Sequence, residues 1–145
     1  MVVRIVIAVV IIAAAIGVAW WLEHRNTASA PTQPRAVVPQ QLDRHDFAGP
    51  DAPWLVVLFT SKTCDSCAGL LEKALPLASD QVSVTEVEYT ANRALHERYH
   101  IDAAPITVLA DADGVTRASF VGAFTATDLW NVLAELRQAD AEGSG

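Results

Sequence analysis

The chain has 145 residues, of which 52% are hydrophobic, and a formal net charge of −7. That length holds one domain with a sizeable core, but not two of ordinary size. From Asp51 onward six Lys and Arg stand against fourteen Asp and Glu with no basic block, which argues against nucleic acid or a polyphosphate as a partner.

In chain order, the first predicted element is the apolar run Val2–Leu22, 21 residues in which Arg4 is the only charge. A helix of that length rises roughly 30 Å, enough to cross a hydrocarbon layer. Trp20 and Trp21 stand at its far end, where an indole favours the lipid boundary. The competing reading is a cleavable export signal, because Ala28-Ser29-Ala30 has the form of a cleavage site. The run is longer than the apolar region of such signals, and Pro31 follows at once, so a retained transmembrane anchor is expected. Arg4 before the span and Arg25 with Arg35 after it leave the charge rule nearly balanced. The expected arrangement is a single pass that contacts lipid through residues 2–22. Its soluble part would lie outside the cytoplasmic membrane of a bacterium, within reach of a membrane redox partner. The organisation then reads as anchor with flanks over 1–25, linker over 26–40, folded domain over 41–140 and flexible tail over 141–145. Three prolines and small polar residues make Asn26–Pro39 a semi-extended spacer.

Within the domain, Asp43–Phe47 reads as a short helix or a short strand. Trp54–Phe59 is a continuous apolar run between Pro53 and Thr60, the pattern of a strand covered on both faces. Cys67–Ala78 places Leu70, Leu71, Ala74, Leu75 and Ala78 at helical spacing, with Pro76 bending the last turn. Val82–Tyr89 alternates and predicts a strand on which Glu86 and Glu88 share a solvent-facing side. Asn92–Tyr99 predicts a short helix. Ile106–Ala110, the turn Asp111–Gly114 and Val115–Val121 predict an antiparallel hairpin that Gly122 ends. Thr125 or Thr127 caps a last helix carrying Leu129, Val132, Leu133 and Leu136 on one face. The expected fold class is α/β, a mixed sheet flanked by helices on both sides.

The two cysteines, Cys64 and Cys67, lie where the apolar strand hands over to a helix. Amides of a first helical turn would stabilise a thiolate at Cys64, and the three-residue offset brings Cys67 back to the same face. Cys64 is then the outer nucleophile and Cys67 the more buried thiol that resolves a mixed disulfide. Asp65 would raise the Cys64 pKa and Lys62 would oppose it, which makes both candidates for tuning the pair. An inert clip is the bland alternative, but so short a loop removes little unfolded-state entropy. Metal binding is poorly provided for, since the histidines at 24, 45, 96 and 100 show no spacing that would complete a site, and no cofactor is expected.

With the apolar strand before the pair and Tyr99-His-Ile-Asp-Ala-Ala104-Pro105-Ile-Thr-Val-Leu109 after it, the chain resembles the thioredoxin-like family over roughly Phe47–Leu136. The resemblance implies a thiol–disulfide oxidoreductase acting on protein or small-molecule thiols and disulfides. It implies that Pro105 is cis and lies beside the pair, that Ala104 offers its backbone to an extended substrate, and that Gly122 keeps the binding surface flat. The chain departs from the family in the residues around and between the cysteines. It also departs at Val57, the position expected to carry the family's buried acid. These departures leave a second reading, a thioredoxin-like binding module at the membrane whose cysteines are structural or vestigial.

Overall fold

The computed structural model describes residues 36–143 and, in the amino-terminal stretch, residues 1, 3, 7 and 11–17. The chain divides into two compact units, Met1–Arg35 and Ala36–Gly145. In the first, residues 3, 7 and 11–17 are helical. Among the described residues no helix is long and apolar enough to cross a membrane. This corrects the expectation of a transmembrane anchor over Val2–Leu22, and with it the lipid contact through residues 2–22 and the single-pass placement. The rest of that segment, including Trp20 and Trp21, and the spacer over 26–35 lie outside the described residues.

The second unit is organised by strand β1 (Trp54–Thr60), every residue of which is buried. A run with no polar alternation can only be an inner strand, and the sheet order is β2-β1-β3-β4. Strand β2 (Val82–Glu88) runs parallel to β1, from Trp54 opposite Val82 to Thr60 opposite Glu88. Strand β3 (Ile106–Ala110) runs antiparallel to β1, with Leu55 opposite Ala110 and Phe59 opposite Ile106. Strand β4 (Thr116–Val121) closes the hairpin at the edge, where its side chains alternate between half-buried and exposed. The mixed sheet predicted from the crossover and hairpin lengths is therefore present.

Side chains of β1 alternate between two cores. Leu55, Val57 and Phe59 meet Phe47, Tyr99, Ile106 and Val108 on one face. Trp54, Val56 and Leu58 meet helices α1 (Leu70–Ala74) and α3 (Ala126–Gly143) through Leu70, Ala74, Leu129 and Leu133 on the other. Helix α2 (Arg93–Arg98) adds Leu95 to the first face. Residues 36–40, expected to belong to the linker, pack Ala36 and Val38 against this core, and Gln40 accepts a bond from the Thr116 amide at 3.0 Å.

The undecided segment near Asp43 is a 3₁₀ turn over Arg44–Asp46. Its Arg44 is buried and donates to the carbonyls of Asp111 and Ala52 at 2.7 Å and of Gly49 at 3.2 Å. The hairpin turn is fastened from both sides. Asp111 Oδ1 accepts the amides of Asp113 and Val115 at 3.0 Å, and the Leu42 amide donates to Gly114 at 2.8 Å. Gly114 has φ +80°, and a Cβ there would collide with the Leu42 carbonyl oxygen. Of the two caps considered for α3, Thr125 serves: its Oγ1 accepts the Asp128 amide at 3.1 Å while Asp128 Oδ2 accepts the Thr125 amide at 3.3 Å.

The helix expected over Cys67–Ala78 is broken. A 3₁₀ turn covers Asp65–Cys67, Ala68 is extended, Gly69 takes φ 72°, and only then does α1 begin. Another 3₁₀ turn, with Pro76 inside it, covers Leu75–Leu77. Helical spacing of apolar residues could not reveal this, because Leu70, Leu71, Ala74 and Leu77 all pack on the core across the breaks.

Candidate active site

Strand β1 delivers the chain to Thr60, and a tight turn follows in which the Cys64 amide donates to Ser61 at 3.1 Å. The Cys67 amide then donates to the Cys64 carbonyl at 3.2 Å. A 3₁₀ turn has three residues per revolution, so positions three apart eclipse one another. This brings the two Cα atoms to 5.4 Å, and the sulfurs are joined in a disulfide. Cys64 is partly exposed, whereas Cys67 is 8% exposed. The broken helix changes the expected electrostatics. A five-residue α1 that starts three positions after Cys67 carries little aligned dipole toward Cys64, so the helix-end effect expected on its thiolate is weak.

Cys64 Sγ lies 3.4 Å from Ser66 Oγ and 3.6 Å from the Ala104 carbonyl oxygen. The Ala104–Pro105 peptide bond is cis. Gly122, at φ +95°, donates its amide to the Pro105 carbonyl at 2.9 Å. Thus Cys64, Cys67, Ala104, Pro105 and Gly122, spread over almost sixty residues of sequence, come together where β1 ends and β3 begins. Asp65 is exposed within the 3₁₀ turn. Lys62 is also exposed, and its amide donates to Glu88 Oε1 at 3.2 Å.

Two hollows flank the pair. One, of about 310 Å³, is lined by Thr60, Lys62, Cys67, Leu71, Glu86 and Glu88. The other, of about 420 Å³, lies on the Cys64 side against Tyr89, His96, Asp102 and Ala104. Glu86 and Glu88 are thus not merely solvent-facing: Glu86 Oε1 accepts the buried Thr60 hydroxyl at 2.8 Å. Burial raises the Glu88 pKa, but the amides of Thr90, Ala91 and Lys62 outweigh it and hold the carboxyl below its ordinary range. Their spacing of two residues, on a strand paired in parallel with the one that ends at the cysteines, was the available signal. His96 was also missed. It is buried, with Nε2 2.8 Å from the Val87 carbonyl and its ring edge-on to Phe59 and Tyr89. His100 is exposed.

The alternation of β1 also revises the place of the absent acid. Val57 points into the core of Phe59 and Tyr99, away from α1, whereas Leu58 and Thr60 lie on the side of the cysteine segment. An acid able to reach Cys67 from β1 would stand at 58, and that position is also apolar.

A mixed sheet of this order, with a disulfide-forming pair after its inner strand and a cis proline beside it, is that of a protein-disulfide oxidoreductase. The thioredoxin family model matches residues 44–135, and the chain belongs to that family. No curated protein matches it. Among solved structures, a malarial protein is 16% identical with a TM-score of 0.51, over 57% of this chain and 96% of the other. Thioredoxin-2 of a malaria parasite, described as a component of its protein secretion machinery, is also 16% identical with a TM-score of 0.51, over 57% of this chain and 82% of that one. These likenesses show the fold. The expectation of a membrane-anchored bacterial member, placed outside a cytoplasmic membrane, is corrected: the family is supported, and among the described residues no helix is long and apolar enough to cross a membrane.

Proposed function

We propose that this domain exchanges disulfides with protein or small-molecule thiols through Cys64 and Cys67. Cys64 attacks a substrate disulfide, or as a disulfide sulfur is attacked by a substrate thiolate. Cys67 resolves the mixed disulfide by displacing the substrate thiolate. The substrate chain lies along Ala104 and Pro105, with Gly122 leaving the adjoining surface without a side chain. Lys62 and Asp65 bias the Cys64 thiolate in opposite senses. The observation that carries this reading is the unequal exposure of two bonded sulfurs, the outer one 3.6 Å from the Ala104 carbonyl beside a cis peptide bond. A structural staple has no need of one cysteine left more open than its partner.

Removing the resolving thiol tests the assignment of roles. Cys67→Ser is expected to accumulate mixed disulfides with client proteins or a small thiol, seen as reducible higher-mass species, and Cys64→Ser to accumulate none. Equally negligible trapping by both variants would overturn the reading in favour of a structural disulfide.

A further inference from the structure

Closing the Cys64–Cys67 pair requires somewhere to put a proton, and this requirement rests on the exchange reading above. In a mixed disulfide at Cys64, the Cys67 sulfur forms a bond to the Cys64 sulfur while the Cys64–substrate bond breaks. The substrate leaves as a thiolate, reduced, and the pair becomes oxidised. The proton carried by Cys67 must pass to a base, because the thiolate and not the thiol is the nucleophile and a buried thiol holds its proton. Strand β1 supplies no such base, since Val56 and Leu58 are the residues it turns toward this side.

The hollow beside Cys67 is the route out. Lys62 reaches its wall from the turn before the pair, Glu72 from α1, and Glu86 and Glu88 from β2, while Asp65 is exposed in the turn between the cysteines. Both Glu88 oxygens are engaged, Oε1 by the Lys62 amide at 3.2 Å and Oε2 by the Ala91 amide at 3.0 Å. Amides that hold its carboxyl below the ordinary range make Glu88 a weak base. Glu72 and Glu86 are both exposed. Glu86 differs from Glu72 and Glu88 in being held by a side-chain hydroxyl of the inner strand. Thr60, 2% exposed at the end of β1, donates its hydroxyl to Glu86 Oε1, which fixes the carboxylate and leaves Oε2 with no hydrogen-bond partner among the described residues. A hollow of about 310 Å³ admits water, each molecule needing roughly 30 Å³.

We propose that Glu86, oriented by the Thr60 hydroxyl, accepts the Cys67 proton through water in this hollow when the pair closes, and returns it when the pair is opened. Glu86 is thus the general base of the resolving step. The buried acid absent from β1 is replaced by a carboxylate reaching the same thiol from the neighbouring strand.

The resolving step can be read directly with the full chain. Reduced protein mixed with an aromatic disulfide that releases a coloured thiolate gives a first release as Cys64 reacts and a second as Cys67 closes the pair. Glu86→Gln should slow the second release about tenfold near neutral pH, less than the roughly hundredfold low end of direct general-base catalysis because the proton crosses water. It should also move the midpoint of that step's pH profile upward and leave the first release unchanged. Thr60→Val, which keeps Glu86 but frees it, should slow the second release by a smaller factor with the profile retained. Glu72→Gln should leave both releases as they are. An unchanged second-release profile in Glu86→Gln, or the same loss in Glu72→Gln, would overturn the proposal and leave the exchange reading standing. No second release in the unmodified chain would overturn both.

Discussion

The hairpin turn at Asp111–Gly114 and the cysteine turn at Ser61–Gly69 share a plan and differ in what holds them. Each follows a fully buried strand, and each uses a glycine in the left-handed region, at φ 80° and 72°. Around Gly114 the neighbours leave no choice, since the Leu42 carbonyl occupies the space a Cβ would need and the Asp111 carboxylate and Arg44 guanidinium pin the backbone on either side. Around Gly69 nothing lies within 4 Å of a Cβ. The cysteine turn is tied to the sheet by one side chain, Glu88, bonding the Lys62 amide. One turn is therefore fixed by its surroundings, the other largely by its own sequence, as a segment that must meet partners and change redox state would be.

Glycine replacement should break this comparison most severely at the hairpin. Gly114→Ala combines left-handed strain with a backbone collision and should cost about 3 kcal/mol or more, read from denaturant unfolding. Gly69→Ala meets no obstacle and should cost only about 1–2 kcal/mol, the conformational penalty alone. Equal losses at the two positions would show that the cysteine turn is held as firmly as the hairpin. The smallest effect is expected at Glu88. Its folded pKa is depressed, so its contribution is present above the ordinary carboxylate value and is lost as pH falls through the folded one. Unfolding midpoints of the unmodified chain and Glu88→Gln should therefore differ at pH 7 and converge toward pH 3; a gap that widens on acidification would contradict this sign.

Much of the scaffold could be read from the residues because each element there has one period and one job. Trp54–Phe59 is apolar throughout and became the inner strand, and the Asp111–Gly114 turn dictated the hairpin. The segment after Cys64 was misread because Leu70, Leu71 and Ala74 carry a helical period that says nothing of a break at Ala68-Gly69. The two cysteines and the Ala104–Pro105 step were visible as motif and spacing, and the structure brings them together. Glu86 and Glu88 were not seen as part of the site, since a strand pattern tells which face a residue takes and not which element covers it. The largest difference lies at the amino terminus, where apolar length predicts a membrane span and no described helix has the required length.

The chain contains two cysteines, and both belong to the one disulfide. On the roles proposed above, its sulfur chemistry has the capacity of a single two-electron cell with one terminal, Cys64. After any turnover the cell is left in the opposite state, and no further thiol in this sequence can recharge it. Client and recharging partner must therefore call at the same outward sulfur in succession, each leaving before the other arrives. That reading predicts kinetics of the double-displacement form, with throughput set by the slower of the two visitors.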